Sequence, residues 1–256
     1  MNAKVHLIYF SPTGNVRKTL LNIAQGIGRE AVEHDLTPFE ARWAKLSFGP
    51  ENIVIVGMPV YSGRIPGISG ELFRNLSAKA TPCIFVVSYG GRDYEDALVE
   101  LQDCCENCGF TGIGAAAFIG EHAFSPTIAQ GRPDLADGVK MKEFGRAIAT
   151  KLRKGGPWER LAVKGNRPYI KDSFMPIGPA TSDACNACGQ CARDCPMQAI
   201  NPADPKEVDV LRCINCFRCI CSCPRKAKFM DNEKFNDFLP VLEALTAIRK
   251  EPEIFI

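Results

Sequence analysis

One cysteine pattern is written twice, a few residues apart. Cys185, Cys188, Cys191 and Cys195 precede Pro196, and Cys213, Cys216, Cys219 and Cys223 precede Pro224. Each copy reads C-x2-C-x2-C-x3-C-P. Three thiolates at three-residue intervals on a tight loop can grip three corners of an iron–sulfur cube, but the loop cannot also wrap its far side. In this spacing the fourth cysteine serves the other cube. The expected sets are therefore crossed. Cys185, Cys188, Cys191 and Cys223 surround one [4Fe–4S] cluster, and Cys213, Cys216, Cys219 and Cys195 surround a second. Each proline bends the chain out of the crossing segment and removes one N–H. The two loops must then face each other while their last cysteines change places.

Other uses of these thiols fit less well. Structural zinc commonly takes separated C-x2-C pairs. A disulfide framework belongs to small secreted chains, whereas this one has 256 residues and opens on a strand-like apolar run without a signal-peptide pattern. It has no apolar stretch of about 18 residues, so no transmembrane segment is expected, and the cytoplasm is the expected compartment. Cys221 falls between two expected ligands and reads as a small buried thiol. Cys83, Cys104, Cys105 and Cys108 lie outside the repeats. Cys105 and Cys108 form C-x2-C on a helical stretch and read as core or helix-face residues, with redox or metal use as the alternative.

Length suits one medium domain and a small one, and 46% apolar residues suffice for a core. The net charge of +2 carries no nucleic-acid signature. Over residues 182–231 the formal charge is +1, and two oxidised clusters would bring it to about −3.

Before the repeats, continuous apolar runs alternate with amphipathic stretches. The runs are 4–10, 53–58, 83–88 and 113–119. Helical periodicity covers 15–29, 94–107 and 139–152. A second strand near 35–39 has a weaker pattern. This alternation predicts a parallel sheet with helices on both faces. In such sheets ligands bind beyond the C-terminal strand ends, which directs attention to four loops. Ser11-Pro12-Thr13-Gly14-Asn15 offers hydroxyls and backbone N–H groups at a helix start, a nest for one phosphate; as a bare sequence it also reads as a capping turn. It has neither the lysine of a nucleotide P-loop nor a G-x-G-x-x-G run. The loops 57–66, with Tyr61, and 89–94, with Tyr89 and Tyr94, bring aromatic rings. Arg64 and Arg92 could place positive charge near a bound ring, and His122 in the loop 120–125 could supply a proton.

On these stretches the chain resembles known proteins. Residues 1–155 resemble a flavodoxin-like domain, 182–231 a bacterial two-cluster ferredoxin domain, and the whole chain the flavodoxin–ferredoxin fusion family known as ferrodoxins. The resemblance is carried by 11–15, 57–66, 89–98, 118–125 and both cysteine runs. It implies an α/β doubly wound sheet of strand order 2-1-3-4-5, a small α+β ferredoxin-like domain, and FMN as cofactor. The implied FMN contacts are Ser11, Thr13, Gly14, Asn15, Pro59, Tyr61, Gly63, Tyr89, Gly90, Gly91 and Tyr94, with Tyr61 and Tyr94 flanking the ring. Pro12 departs from simple flavodoxins by replacing a hydroxylated residue.

Residues 156–181 are rich in glycine and proline, yet Trp158, Leu161, Val163, Tyr169, Ile170 and Phe174 predict an ordered linker arm rather than free coil. Residues 232–256 read as a C-terminal helical extension covering a cluster, capped by Asp231 or Asn232 and kinked or restarted at Pro240. The expected role is electron transfer between FMN and two [4Fe–4S] clusters, in exchange with redox proteins as donor and acceptor. No catalytic residue is assigned, and an electron carrier is favoured over a dedicated enzyme. Alternatives are a flavin-dependent reductase of a quinone or nitro compound, and a redox-sensing interaction protein. A homodimer is compatible with the reading.

Overall fold

The computed structural model describes residues 4–173 and 175–256; Phe174 of the expected arm lies outside the described residues. The chain runs β1 (Val5–Tyr9), α1 (Asn15–Ile27), β2 (Ala31–Asp35), a 3-10 turn (Phe39–Trp43), β3 (Leu46–Phe48), β4 (Ile53–Pro59), α2 (Ser69–Phe73), β5 (Leu76–Ala78), β6 (Thr81–Tyr89), α3 (Ala97–Asn107), β7 (Phe110–Ile119) and α4 (Leu135–Lys154). Strands β4, β6 and β7 are apolar almost without interruption because helices cover both faces of the sheet. The parallel strands stand β2-β1-β4-β6-β7. Counted along the chain this is 2-1-3-4-5, the flavodoxin-like order.

One face is packed by α1 and α4 through Leu20, Ile23, Met141, Phe144 and Ile148, the other by α3 through Leu98, Leu101 and Cys105. The helices α1 and α4 cross at backbone contact. A Cβ on Gly145 would lie 2.2 Å from the Ile23 carbonyl oxygen, and one on Gly26 would lie 2.2 Å from that of Lys142.

Two sequence expectations need correction. The second strand is Ala31–Asp35, not 35–39; as an edge strand with exposed Glu33 and Asp35 it lacks the apolar signature of the central strands. Residues 39–43 form the 3-10 turn instead. The C-terminal extension is not helical throughout. After α7 (Glu233–Leu245) the chain returns to the first half and forms β10 (Glu253–Phe255), antiparallel to β7. Asn232 caps α7, and Pro240 sits inside it without ending it.

The arm after α4 is pinned to one acidic side of α3. Asp103 accepts from Arg160, Arg167 and Tyr169, and Glu106 accepts from Arg160. Asp96, fully buried, accepts from the backbone N–H groups of Asn166 and Ile170, each at 2.7 Å. Arg64 joins the arm to the helix: it pairs with Glu100 at 2.6 Å, donates to the Ile170 carbonyl at 2.7 Å and lies over the Tyr169 ring.

The cysteine-rich half contains β8 (Ala180–Thr181), α5 (Gln190–Asp194), α6 (Arg218–Cys221) and β9 (Lys228–Phe229), with β8 and β9 paired antiparallel. Its two repeats share backbone geometry. Left-handed residues recur at equal offsets: Ala187 and Asn215, Gly189 and Phe217, Gln198 and Lys226. The halves exchange arginines. Arg42, buried among Phe10 and Phe39, donates to the Pro196 carbonyl and pairs with Glu71, while Arg218 donates to the Pro12 carbonyl at 2.9 Å.

Candidate functional site

The four loops after β1, β4, β6 and β7 converge on one cavity of about 660 Å³. Ser11, Pro12, Thr13 and Asn15 line one end. Pro59, Tyr61, Gly63, Tyr89, Gly90 and Arg92 line the walls, with Gly120, Glu121, His122 and Phe124 opposite. The remaining boundary comes from outside the sheet: Ile170 to Ser173 and Met175 of the arm, Ile214 to Cys216 of the second repeat, and Phe238, Leu242 and Leu245 of α7. Helix α7 therefore borders this cavity, while its Phe235 packs on Phe217 of the second cysteine repeat. Glu243 ties it down by accepting from Ser125 at 2.9 Å and Thr127 at 3.0 Å.

The first loop leads into α1 through Gly14 (φ 86), with no side chain capping the helix. Its shape is set from outside: the Thr37 hydroxyl accepts the Ser11 N–H at 2.8 Å, and the Ser11 hydroxyl accepts the Arg17 N–H at 3.1 Å. The Asn15 amide donates to the Glu121 carbonyl at 2.8 Å, so it ties the first loop to the fourth.

Of the expected contacts, Ser11, Thr13, Asn15, Pro59, Tyr61, Gly63, Tyr89 and Gly90 line the cavity, while Gly14, Gly91 and Tyr94 do not. Tyr94 packs edge-on against Tyr89 in the core and donates its hydroxyl to Glu253 at 2.8 Å. Tyr89 lines the cavity and Tyr94 does not. Arg64 is likewise spent on Glu100 and the arm, whereas Arg92 faces the cavity and pairs with Glu95. His122 holds no spare proton near neutrality: burial, with Arg92 nearby, lowers its imidazole to about 4. Its Nδ1 accepts the Phe124 N–H at 3.1 Å, which leaves the ring proton on Nε2.

The eight repeat cysteines divide between two further cavities. Cys195, Cys213, Cys216 and Cys219 line one; Cys185, Cys188, Cys191 and Cys223 line the other. These are the crossed sets. None of the eight forms a disulfide. Backbone N–H groups point at sulfur in equivalent places: Ala199 to Cys195 at 3.3 Å and Ala227 to Cys223 at 3.2 Å. Burial, then neighbouring thiols, pushes Cys219 up to about 12, and burial raises Cys216 further. Cys223 moves the other way: burial raises it, but a run of backbone N–H groups led by Ala227 wins and lowers it. Among the described residues no three His, Cys, Asp or Glu side chains are grouped as a single metal ion would require. Cys221 belongs with the exposed residues and lines neither cavity, contrary to the expectation of a buried thiol.

Two of these cavities share a wall. Cys216 lines both the large cavity and the cavity of the second thiol set. The Tyr61 phenol stands there too, raised well above its usual range by burial and by Cys216 and Cys213. Sequence reading missed Arg42, Arg218 and the contribution of Ile214 to Cys216, since nothing in their local pattern announces a contact across the chain. Among the described residues no helix is long and apolar enough to cross a membrane.

No protein-family model and no curated protein matches the chain. Among solved structures it is similar to a flavodoxin from the domain Archaea, at 15% identity, covering 59% of this chain and 99% of that one, with a TM-score of 0.41. It is also similar to two-electron reduced Megasphaera elsdenii flavodoxin, at 20% identity, 57% and 98% coverage and a TM-score of 0.38. A flavodoxin of Streptococcus pneumonia matches at 15% identity, 58% and 99% coverage and a TM-score of 0.41.

Proposed function

We propose that this chain is an electron-transfer protein holding FMN in the large cavity and one [4Fe–4S] cluster in each thiol-lined cavity. The observation that carries the reading is the wall shared at Cys216, which sets the large cavity directly against the cavity lined by Cys195, Cys213, Cys216 and Cys219. Bound FMN exchanges one or two electrons and each cluster exchanges one.

The donor sets suit these groups. Four thiols around each cavity match the ligand count of a cubane, and the N–H groups aimed at Cys195 and Cys223 stabilise thiolate sulfur. The high position of Cys216 and Cys219 follows from burial, which outweighs the Arg218 N–H at Cys216 and Lys228 near Cys219; metal binding would deprotonate them and release protons. At the large cavity the loop Ser11 to Asn15 would take the phosphate, and Tyr61 and Tyr89 would bound the ring. The arm and α7 form part of the cavity's boundary. Redox proteins are the proposed donor and acceptor, with the cytoplasm as the proposed compartment.

A second reading draws on the cover itself. Phe238, Leu242, Leu245 and Met175 enclose space next to the loops that a simple carrier would leave open. This favours reduction of a small, flat, apolar acceptor such as a quinone or nitro compound.

Anaerobic purification with iron, sulfide and flavin analysis tests the main reading. The expected content is about eight irons and eight sulfides per chain, with one FMN. Four irons or fewer after full reconstitution, or no FMN uptake, would overturn it. Steady turnover of a quinone at rates exceeding electron delivery to a protein acceptor would select the second reading.

A further inference from the structure

We infer that Arg218 is a positioning residue for the anion-binding loop Ser11 to Asn15, so that docking of the cysteine-rich half completes the phosphate site. This rests on the FMN reading. The Arg218 Nη1 donates to the Pro12 carbonyl at 2.9 Å. In a trans peptide unit the carbonyl and the following N–H point to opposite sides. The Pro12–Thr13 bond is trans. Fixing its carbonyl on the Arg218 guanidinium therefore turns the Thr13 N–H away from that guanidinium and sets the orientation of this peptide unit, and Pro12 and Thr13 both line the cavity.

Charge points the same way. The loop has no cation of its own, and those on α1 are committed elsewhere. Arg17 pairs with Glu33 at 2.6 Å, and the Lys18 ammonium donates to the Pro133 carbonyl at 2.9 Å. Arg92 in the cavity wall pairs with Glu95. Arg218 brings a guanidinium to the loop from the other half, and its Nε is buried with no hydrogen-bond partner. Such an unspent donor costs free energy, and a dianion nearby would repay that cost electrostatically.

The second repeat differs from the first where this contact is made. Its residue before α6 is Phe217 at φ 59, where the first repeat has Gly189 at φ 71. A bulky residue in the left-handed region is unfavourable. Phe217 accepts it and gains a buried seat, its ring 4.5 Å from that of Phe124 in the cavity wall. The dipeptide Phe217–Arg218 thus docks on the fourth and first loops together, directly before Cys219. Binding linkage is reciprocal: if docking strengthens phosphate binding, the phosphate strengthens docking by the same factor.

The test compares FMN with riboflavin, which lacks only the phosphate, by calorimetric titration of the full cluster-bearing chain. Wild type, Arg218→Gln and Arg218→Lys are measured, with iron content checked in each. Arg218→Gln is expected to weaken FMN at least about tenfold, as loss of a charge-assisted contact does, and to leave riboflavin within about twofold. Arg218→Lys is expected to recover part of the FMN affinity. Equal weakening of both flavins would mean that Arg218 only holds the halves together, and no change in either would mean that it does not shape the loop; each result overturns the inference. If Arg218→Gln loses its iron, Arg218→Lys decides alone: FMN-selective weakening supports the inference, and an unchanged ratio overturns it. A wild type that binds neither flavin would instead remove the FMN reading, and the inference with it.

Discussion

Asp96 is the best place to ask whether the arm is a working part of the cavity. Its carboxylate is fully buried at the start of α3 and accepts the N–H groups of Asn166 and Ile170, each at 2.7 Å. Burial pushes the carboxyl up, but the Ile170 and Asn166 N–H groups outweigh it and hold it below the ordinary range. Asp96→Ala removes both acceptors and leaves two backbone donors without partners. Hydrogen bonds to a charged group are worth about 1.5–3 kcal/mol each, so arm opening should become easier by at least about 3 kcal/mol. That is about two orders of magnitude in the opening equilibrium. Hydrogen exchange of the segment 160–175 reads it directly, since local opening is what exchange reports. Protection at Asn166 and Ile170 should fall about a hundredfold, while the amides of β6 keep theirs. The sign with pH follows from the lowered carboxyl. Its stabilisation is present above the unfolded value of about 4 and is lost as pH falls through the lower folded value. Because Ile170 to Ser173 bound the cavity, bound FMN should also leave faster in the variant. Unchanged exchange in the arm, with FMN release unaltered, would refute the reasoning.

Replacing Cys195 by serine should damage the cluster otherwise held by Cys213, Cys216 and Cys219, whereas Cys221→Ser should leave both in place; EPR of the reduced variants separates the cases, and the reverse pattern would undo the crossed sets. Thr13→Ala with Asn15→Ala should lower FMN affinity at least about tenfold without loss of iron, partly because the Asn15 tie to Glu121 goes too; equilibrium binding with iron analysis checks it. His122 is held near 4 by burial and Arg92, so its folded value lies below its unfolded one. Its neutral form stabilises the fold fully above about 6.5, and that contribution declines as pH falls toward 4. Denaturation midpoints between pH 7 and 5 should therefore drop less in His122→Gln than in wild type.

The cysteine repeats and the central strands were legible in the sequence because each signal is local. Ligand spacing is set within a turn of chain, and Ile53–Pro59 or Phe110–Ile119 must be apolar on both faces wherever they lie in a buried sheet. The turn Ser11 to Asn15 was legible for the same reason: it stands at one strand–helix junction. Strand β2 was misplaced because an edge strand has one exposed side and no such constraint. The resemblance to ferrodoxins placed Tyr94 at the ring, but only the fold turns it under Tyr89 toward Glu253, a partner 159 residues away. The same holds for Arg64, whose loop position suggested the flavin and whose guanidinium serves Glu100 and the arm. The closure of the cavity, the return of the tail as β10 and the exchange of Arg42 and Arg218 all depend on how the two halves meet. Contacts of that kind join residues with no fixed separation along the chain, and they leave no periodicity to read.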